Sequence, residues 1–307
     1  MLSIGILGFI VWSHQIILTA IRSVLCLLCH TFKSQYSSKA LYVNAFNFSS
    51  FINNYKFIDQ SWLEWFVGFS EGDGSWMISN SRFYFIITQK ETAILYHIQE
   101  TLGFGSVTTD AKGVGRYIVS NKNHILLLIY LFSGNIVLSK RLIQFNNWVT
   151  FFNSIYGMDL HLQSKCLKLT LNSAWLSGFV DAEGCFNVNI VSRSASIVGF
   201  RTTLRFVLDQ QFEQNILLLI ASLLGTGHVS CRASTNHVYR LTIDSFKHLP
   251  SIISYFSQFP LKTHKKVSFD KWYEIYSKML NKEHLRQPGF DQIKSLAKFI
   301  NKHSIDK

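Results

Sequence analysis

Two stretches of the chain place apolar residues at the three- and four-residue spacing that is typical of an amphipathic helix. Each stretch then ends in glycine and acidic residues, reading WFVGFSEGDGSW over 65–76 and WLSGFVDAEGCF over 175–186. The apolar positions are Trp62, Trp65, Phe66 and Phe69 in the first stretch and Trp175, Leu176, Phe179 and Val180 in the second. The pattern predicts two helices of the same kind in one chain.

Small residues recur four positions apart on one side of each predicted helix. They are Gly68 and Gly72 in the first helix and Gly178 and Ala182 in the second. Small residues at this spacing let two helix backbones approach closely. Close approach would offset the roughly 1 kcal/mol that a glycine costs a helix relative to alanine. We therefore predict that the two helices pack side by side along a common seam.

Each predicted helix ends in an acid followed by a glycine, Asp73–Gly74 in the first copy and Glu183–Gly184 in the second. Glycine suits a helix C-terminus. If the helices pack side by side, the two carboxylates lie at the same end of the seam. Two carboxylates buried together repel each other unless cations lie between them, and paired carboxylates bind divalent metals. The repeat therefore predicts a metal site built from both copies.

The segments after each helix alternate apolar and polar residues with the period of two that is typical of β-strands. Phe186, Val188 and Ile190 alternate with residues of the other face, and the same pattern holds over 200–208 and 82–87. One face of each predicted sheet is therefore apolar, and the other is largely polar and basic. A two-stranded ribbon of this kind fits the major groove of DNA, where Arg reads guanine and Asn or Gln reads adenine.

The polar face supplies a set of candidate DNA-contacting residues. They are Arg82, Tyr84, Arg116, Asn187, Asn189, Arg193, Arg201, Thr203, Arg205, Arg232 and Arg240. Any one of them could equally belong to a solvated sheet face or contact a phosphate without reading a base. The set as a whole predicts that the sheets bind nucleic acid.

The match between the two copies continues in the same order through most of each half. GFGSV at 103–107 matches GTGHV at 225–229, and the segments that end at Trp148 and Trp272 also match. The main difference is an insertion around 192–196, which predicts a longer hairpin in the second copy. We divide the chain into an apolar leader and linker (1–57), a first repeat (58–156), an inter-repeat linker (157–172), and a second repeat with a C-terminal helical tail (173–307).

Composition adds a basic character to this picture. The 307 residues carry 30 Lys and Arg against 18 Asp and Glu, a formal charge of +12. An excess of this size favours a polyanion partner, nucleic acid or anionic lipid, over an uninformative solvated surface. The five cysteines are scattered without a second ligand pair, so we interpret them as free thiols and expect no zinc.

The N-terminal region supports two interpretations. Residues 4–29 are strongly apolar, which taken alone suggests a membrane helix or a signal sequence, although no positive segment precedes them. Residues 3–14 also closely resemble a transmembrane segment of cytochrome c oxidase subunit 1, and the likeness stops after His14. An exon read into an intron reading frame would have this form. On that interpretation the leader is a host-gene remnant and the chain is encoded in a mitochondrial intron.

With both motifs in view, the chain resembles the LAGLIDADG homing endonucleases in their single-chain, two-motif form. Phe66 to Gly74 and Leu176 to Gly184 occupy the nine positions of the two motifs. The copies depart from the family pattern at Val67, Ser70 and Ser177. The resemblance covers roughly residues 60–305 and includes a tail, residues 281–301, that looks like the closing helix of one branch of the family.

The resemblance implies an α+β fold of two pseudo-symmetric αββαββα repeats. The motif helices lie at the interface, and two antiparallel sheets form a DNA-binding saddle. It also implies a monomeric, site-specific, Mg²⁺-dependent endonuclease that cuts both strands of double-stranded DNA, leaves 3′ overhangs and serves intron homing. Because the two polar faces differ, we expect a long asymmetric target. The leader suggests that this target lies in the intronless oxidase gene, that the intron belongs to group I, and that the protein works in the mitochondrial matrix.

The resemblance assigns roles to residues at the ends of the motifs. Asp73 and Glu183 would hold Mg²⁺, with help from the backbone carbonyls of Gly72 and Ala182. The family also places a lysine near the start of the last helix of each half.

For that basic residue, the sequence offers several candidates. Alignment by the two tryptophans pairs Arg141 with Lys265, but a shift to Lys140, His264 or Lys266 stays open. Gln89 and Gln210 are matched polar residues that either assist the site or cap the following helix.

Three other functions compete with the nuclease. The first is an RNA maturase whose partner is the host intron RNA, with or without nuclease activity. The second is a membrane protein, which rests only on residues 4–29; we expect no stable membrane association beyond the leader. The third is a two-repeat binding module without chemistry.

Overall fold

The computed structural model describes residues 46–233 and 235–300. The oxidase-like segment and the apolar stretch 4–29 lie outside the described residues, so both interpretations of the leader stay predictions. Within the described part of the chain, no helix has the length and apolarity required to cross a bilayer.

The two halves of the chain have the same order of elements. A short helix, α1 (Ser49–Asn54), precedes them. The first half contains α2 (Gln60–Asp73), β1 (Gly74–Ser79), β2 (Arg82–Gln89), α3 (Thr92–Leu102), β3 (Ser106–Thr109), β4 (Gly115–Val119), α4 (Lys122–Phe132) and α5 (Ser139–Tyr156). The second half contains α6 (Trp175–Glu183), β5 (Gly184–Ser192), β6 (Phe200–Gln211), α7 (Gln214–Leu223), β7 (His228–Cys231), β8 (Val238–Ile243), α8 (Leu249–Gln258) and α9 (Lys265–Leu280).

This order confirms the predicted pseudo-symmetric α+β fold and adds one helix to each half. Each half ends in two helices, α4 with α5 and α8 with α9, where the sequence predicted one. The second half alone continues into a 3₁₀ turn (Glu283–Leu285) and α10 (Gly289–Phe299). This tail packs on α9 and β5, and Phe290 stacks on Phe200 with ring centroids 5.2 Å apart.

Each half forms one four-stranded antiparallel sheet. The strand orders are β1-β2-β4-β3 and β5-β6-β8-β7, so the topology repeats. The β5–β6 hairpin pairs nine residues on each strand, whereas β1–β2 pairs six. The longer hairpin predicted from the insertion is therefore present in the second half.

The apolar faces of both sheets lie against helices, as their alternation predicted. Phe83, Phe85 and Ile87 of β2 are buried, and so are Leu204 and Phe206 of β6. The matched tryptophans close the two cores in equivalent places. Trp148 of α5 lies across Phe83, and Trp272 of α9 lies against Phe186. Burial of one face leaves the other face of each sheet for a partner.

The seam between α2 and α6 is closed by backbone contact at its two inner glycines. A Cβ added to Gly178 would lie 1.8 Å from the carbonyl oxygen of Trp65, and one added to Gly68 would lie 2.0 Å from that of Trp175. No side chain fits at either position, because real Cβ contacts are never this short. The predicted close packing of the two motif helices is thus confirmed.

The glycines that end the two helices serve a different purpose from the one predicted. Gly74 and Gly184 have φ values of −77° and −78°, which is ordinary extended backbone and not a left-handed helix cap. A Cβ at Gly74 would instead lie 2.5 Å from the carbonyl oxygen of Ser70, and one at Gly184 would lie 2.5 Å from Val180 Cγ1. Each helix therefore runs directly into a strand, and the sharp junction has no room for a side chain.

Candidate active site

The two motif acids lie together at one end of the seam. Asp73 is the last residue of α2 and Glu183 is the last residue of α6. A Cβ built on Gly72 would lie 2.2 Å from Ala182 Cβ and 3.3 Å from Glu183 Cγ, so the helix ends meet at this level. The close approach that the glycines permit is what brings the two carboxylates into one site.

Burial and mutual repulsion change the acidity of this pair. Burial, and after it the negative charge of Glu183, raises the pKa of Asp73 to about 6. Burial also raises the pKa of Glu183, while Lys265 opposes that shift. A carboxylate pair that is held at a raised pKa is a place where a bound cation is favourable, because the cation removes the penalty on the charged form.

One glutamine from each sheet reaches the acid of its own half. Gln89 at the end of β2 donates from Nε2 to Asp73 Oδ2. Gln210, its counterpart on β6, hydrogen-bonds to Glu183. Both side chains contact the acids, and neither following helix has a side-chain capping hydrogen bond at its N-cap. Each amide holds its carboxylate in one orientation.

Arg141 and Lys265 bring one cation to the end of each motif helix. Arg141 donates from Nε to the carbonyl oxygen of Glu71 at 2.6 Å and from Nη2 to that of Gly72 at 2.7 Å. Lys265 donates from Nζ to the carbonyl oxygens of Val180 at 3.1 Å and Ala182 at 2.7 Å. The direct tryptophan alignment thus pairs two side chains that make equivalent contacts, and their catalytic role stays a prediction.

The neighbouring basic residues point elsewhere. Lys266 forms an ion pair with Asp270, and Lys140 lies over the ring of Phe212 with Nζ 5.8 Å from its centroid. Burial lowers the pKa of both Arg141 and Lys265, and the site's carboxylates oppose the shift. Both side chains therefore interact electrostatically with the acids of the site, and a one-residue shift of the alignment is unnecessary.

The first acid of each motif forms a contact between the halves that the sequence analysis missed. Glu71 Oε2 accepts the indole N–H of Trp175 at 2.6 Å, and Asp181 Oδ2 accepts that of Trp65 at 2.7 Å. Each acid also accepts backbone N–H groups from the loop before α5 or α9, for example Leu138 at 2.7 Å. The sequence did contain a signal for this contact, because each motif begins with a tryptophan and has an acid six residues later.

These first acids have a structural role at the seam. Burial raises the pKa of both Glu71 and Asp181, and their hydrogen bonds oppose the shift. Removing either acid would leave buried donors without an acceptor, which typically costs about 1–3 kcal/mol per group. They lock the motif helices together and anchor the loops that lead to Arg141 and Lys265.

The donor set at the seam fits Mg²⁺. The described residues contain no cluster of three or more His, Cys, Asp and Glu side chains that could enclose a metal. Mg²⁺ is usually held by one or two carboxylates and keeps waters and substrate phosphates as its other ligands. Asp73 and Glu183 match that pattern. The carbonyl oxygens of Gly72 and Ala182 point to Arg141 and Lys265, and each retains a second lone pair.

An open cavity of about 340 Å³ lies beside Glu183. Its lining includes Arg141, Asp209 and Gln210. Asp209 has no acidic counterpart in the first half, where Thr88 precedes Gln89. The charge of Asp209 also adds to the raised pKa of Glu183. The two ends of the site are therefore electrostatically unequal.

The strand pairing places the predicted DNA-contacting residues opposite one another on the outer faces. Asn187 pairs with Arg205 and Asn189 with Thr203 in the second sheet. In the first sheet, Arg116 of β4 pairs with Thr88 of β2, which lies on the same face as Tyr84, four residues further along β2. Three further candidates are exposed, two on the strands and one in the β5–β6 hairpin loop: Arg82, Arg201 and Arg193.

Three arginines that were predicted to contact DNA bind acceptors within the protein. Arg232 and Arg240 both form ion pairs with Asp209, at 2.9 and 2.7 Å. Arg205 donates to Asn187 Oδ1 at 3.1 Å, and its Nε is buried without a hydrogen-bond partner. Their DNA contacts stay a prediction, and for Arg232 and Arg240 they would require exchange of the Asp209 carboxylate for a phosphate or base.

The fold and the site together define a class: a two-repeat α+β protein with a carboxylate pair at the junction of its sheets. The family model described as LAGLIDADG endonuclease matches residues 66–152 and 176–276. The chain belongs to the LAGLIDADG endonuclease family.

Relatives and solved structures agree with this assignment. The chain is 33% identical over 271 residues to "Probable intron-encoded endonuclease 4" of Neurospora crassa, a match that covers 86% of this chain and 49% of that protein. It is 33% identical over 129 residues to "Intron-encoded RNA maturase bI4" of Saccharomyces cerevisiae, covering 40% of this chain and 19% of that protein. The chain thus spans about half the length of the Neurospora relative.

The solved structure of I-SmaMI bound to uncleaved DNA in the presence of calcium ions has the same fold. Its TM-score is 0.65 at 20% sequence identity, and the match covers 78% of this chain and 99% of that one.

Proposed function

We propose that this protein is a site-specific, Mg²⁺-dependent DNA endonuclease that serves intron homing. The observation that carries the proposal is the carboxylate pair of Asp73 and Glu183, each with its own glutamine and its own buried cation. Glu71 and Asp181 are fully engaged by donors of the fold, whereas Asp73 and Glu183 stand at the open end of the seam beside two cations, where a metal and a phosphate can reach them.

The residues of the site would have three distinct roles in phosphodiester hydrolysis. Asp73 and Glu183 would hold Mg²⁺, which when bound polarises a phosphate and lowers the pKa of an attacking water. Gln89 and Gln210 orient the two carboxylates. Arg141 and Lys265 lie near both acids and are placed to stabilise the extra negative charge that develops on the phosphate. The pseudo-symmetry supplies one such set for each strand.

The outer sheet faces are the proposed DNA-binding surface of a monomer. Their arginines and asparagines would contact base edges in the major groove, and the chain's charge of +12 would attract phosphates. The two faces differ in residues and in hairpin length. These differences support a long asymmetric target, and the resemblance to the family implies cleavage that leaves 3′ overhangs.

The leader suggests where the target lies. The oxidase-like segment 3–14 supports a target in the intronless cytochrome oxidase subunit 1 gene and a mitochondrial matrix location. A plasmid that carries the spliced coding sequence of that gene contains each exon junction without its intron. We expect the full chain to linearise this plasmid with Mg²⁺ and not with EDTA, and end sequencing to map both cuts near one junction. Failure to cut any junction would contradict the target assignment.

Removal of either motif acid tests the mechanism. Asp73→Asn and Glu183→Gln should each lower the cleavage rate by about a hundredfold or more, because the metal loses a charged ligand. Duplex binding, measured in Ca²⁺ by gel shift, should persist. The matched control Glu100→Ala removes an exposed carboxylate of α3 and should cleave like the wild type. Equal cleavage by the acid variants would exclude the proposed chemistry.

The second candidate function is that of an RNA maturase. It is favoured by the 33% identity to the yeast maturase over 129 residues. A basic sheet face can bind RNA as well as DNA. A splicing assay with the host intron RNA tests it, and maturase activity that survives Asp73→Asn would show that the two roles are separable.

A further inference from the structure

A second pair of acids joins the halves outside the motif helices. Glu91 and Glu213 stand at the N-cap positions of α3 and α7, just after the strands that end in Gln89 and Gln211. An acid at an N-cap normally accepts a backbone N–H from its own first turn. Neither glutamate does so. Their carboxylates are engaged elsewhere.

Glu213 crosses from the second half to the first. Its Oε1 accepts the Ser139 hydroxyl and the backbone N–H of Lys140, both at 2.8 Å. Only 6% of the residue is exposed. These are the first two residues of α5, and Arg141 is the third.

Glu91 makes the reciprocal crossing from the first half to the second. Its Oε2 accepts the backbone N–H of His264 at 2.9 Å, and its Oε1 lies 3.8 Å from His264 Nδ1. His264 is the N-cap of α9, and Lys265 is its first residue. In both halves, therefore, the contacted N–H belongs to the residue immediately before the active-site cation.

Neither contacted helix is capped by the side chain of its own N-cap residue. The N-cap residues Leu138 of α5 and His264 of α9 make no side-chain capping hydrogen bond. A carboxylate near a helix N-terminus satisfies free N–H groups and interacts favourably with the helix dipole. The glutamate from the opposite half supplies such an acceptor at both helices, and at α9 it acts beside the Thr263 hydroxyl, which accepts the N–H of Lys265 at 3.2 Å.

We propose that Glu91 and Glu213 are positioning residues, each of which fixes the helix start that presents the other half's active-site cation. Glu213 acts through Arg141, and Glu91 acts through Lys265. The proposal rests on the proposed nuclease function. It means that neither cation is correctly placed unless the two halves are docked. A displacement of about 1 Å at a catalytic group can lower a rate by about a hundredfold, so a contact one residue away has leverage on the reaction.

A double-mutant cycle separates this role from simple adhesion between the halves. The substrate is the plasmid with the spliced oxidase coding sequence, cut under single-turnover conditions with saturating protein. Glu213→Ala should lower the cleavage rate constant about tenfold with unchanged duplex affinity. In the Arg141→Ala background, the same change should have no further effect. In the Lys265→Ala background, Glu213→Ala should lower the rate constant by the same factor as in the wild type. Glu91→Ala should have no further effect in the Lys265→Ala background and should keep its full effect in the Arg141→Ala background.

Two further variants keep the result interpretable. Glu213→Gln retains an acceptor for Lys140 N–H and should keep the rate within about threefold of the wild type, because the hydrogen bond and not the charge sets the geometry. Glu100→Ala removes an exposed acid of the same half as Glu91 and should have no effect. Melting temperature is measured for each variant, so that a folding defect is recognised. Effects of Glu213→Ala and Arg141→Ala that multiply would overturn the proposal.

A readout without cleavage keeps the two proposals distinguishable. Arg141 Nε–H donates to the Glu71 carbonyl oxygen at 2.6 Å and should give a shifted, protected resonance in a ¹⁵N–¹H correlation spectrum. Glu213→Ala should move or broaden this resonance, whereas Glu100→Ala should not. If the wild type cuts no junction but this resonance responds, the nuclease assignment fails and the positioning contact stands. An unchanged resonance overturns the positioning contact whether or not the protein cleaves.

Discussion

The two halves of the molecule are nearly identical at the seam and differ on their outer faces. At the seam, each half contributes an acid, a glutamine and a cation, and the glycines of one helix meet the backbone of the other. On the outer face, the second half has the longer hairpin and the ion-paired Asp209, and on its helical side it alone carries the C-terminal tail. A residue at the seam contacts the other motif helix, so a change in one half strains both. A residue on the outer face has no such partner in the other half and can differ freely. The symmetry of the seam and the asymmetry of the outer faces, on which the proposed asymmetric target rests, thus have one physical origin.

The largest expected effect is on the seam itself. Gly178→Ala should destabilise the protein by about 3 kcal/mol, because its Cβ would overlap the Trp65 carbonyl and the helices must separate. Gly68→Ala should be equivalent if the seam is symmetric. The control is Gly113→Ala, which meets open space and costs only the strain of its φ of +77°, about 1 kcal/mol. Urea denaturation measures all three. A tolerated Gly178→Ala would break the comparison.

The second effect concerns the two cations. Arg141→Ala and Lys265→Ala should each slow cleavage by about ten- to a hundredfold. Because each side chain binds the end of a different motif helix, the two variants should leave nicked circles with opposite strands open. Strand-specific end labelling of the nicked product measures this. Nicks on the same strand would mean that the cations act on a common centre and not as one per half.

The third effect is the pH dependence of stability in the absence of metal. The pKa of Asp73 is raised from 3.8 to about 6, so the folded state holds the proton more tightly than the unfolded chain. This contribution to the free energy of unfolding is complete below pH 4 and is lost as pH rises through about 6. Asp73→Asn should therefore stabilise the metal-free protein at pH 8, by up to about 3 kcal/mol, relative to its effect at pH 4.

The matched control has the opposite sign. Hydrogen bonding by Ser61 lowers the pKa of Asp59, the N-cap of α2. Asp59→Asn should lose relative stability as pH rises toward 3.8 and show a constant deficit above it, because the ionised acid is the form that the fold prefers. Chemical denaturation in EDTA at several pH values measures both variants. Parallel pH profiles for the two substitutions would contradict the assignment.

The smallest expected effect is on the outer face of the second half. Asp209→Asn removes the carboxylate that pairs with Arg232 and Arg240 and adds one net positive charge. Duplex binding should tighten by a few fold, and the slope of log affinity against log salt should steepen by about one. Asp270→Asn, which frees Lys266 on the surface of α9, is the control for net charge alone. Equal effects of the two substitutions would show that Asp209 does not restrain a DNA contact.

Much of this architecture could be predicted because it depends on local residue patterns that occur twice in the sequence. Helical spacing identified α2 and α6, alternation identified the strands, and the paired small residues identified the seam. The positions of Arg141 and Lys265 followed from matching the tryptophans of the two copies. The extra helix in each half was missed, because α4 and α8 are short apolar runs whose period does not distinguish a helix from a connection.

The crossed contacts could not be predicted in the same way. Glu91 and Glu213 are single acids outside the repeated motif, and no sequence pattern relates either of them to the opposite half. Glu71 and Asp181 differ from the metal acids by two positions only, yet they accept indole N–H groups from the opposite helix. A sequence pattern reports which face of an element is buried. It does not report which donor lies across that face.

The repeated motif, its glycines and its acids were sufficient to establish the fold class, the pairing of the helices and the identity of the metal-binding acids as a prediction, because each depends on residue type and spacing along one element. Tertiary structure alone decided that Asp209 forms ion pairs with two arginines. It also decided that a glutamate of each half binds the start of the helix that bears the other half's cation. Those contacts join residues that are far apart in sequence, and only the docking of two folded halves brings them within hydrogen-bond distance.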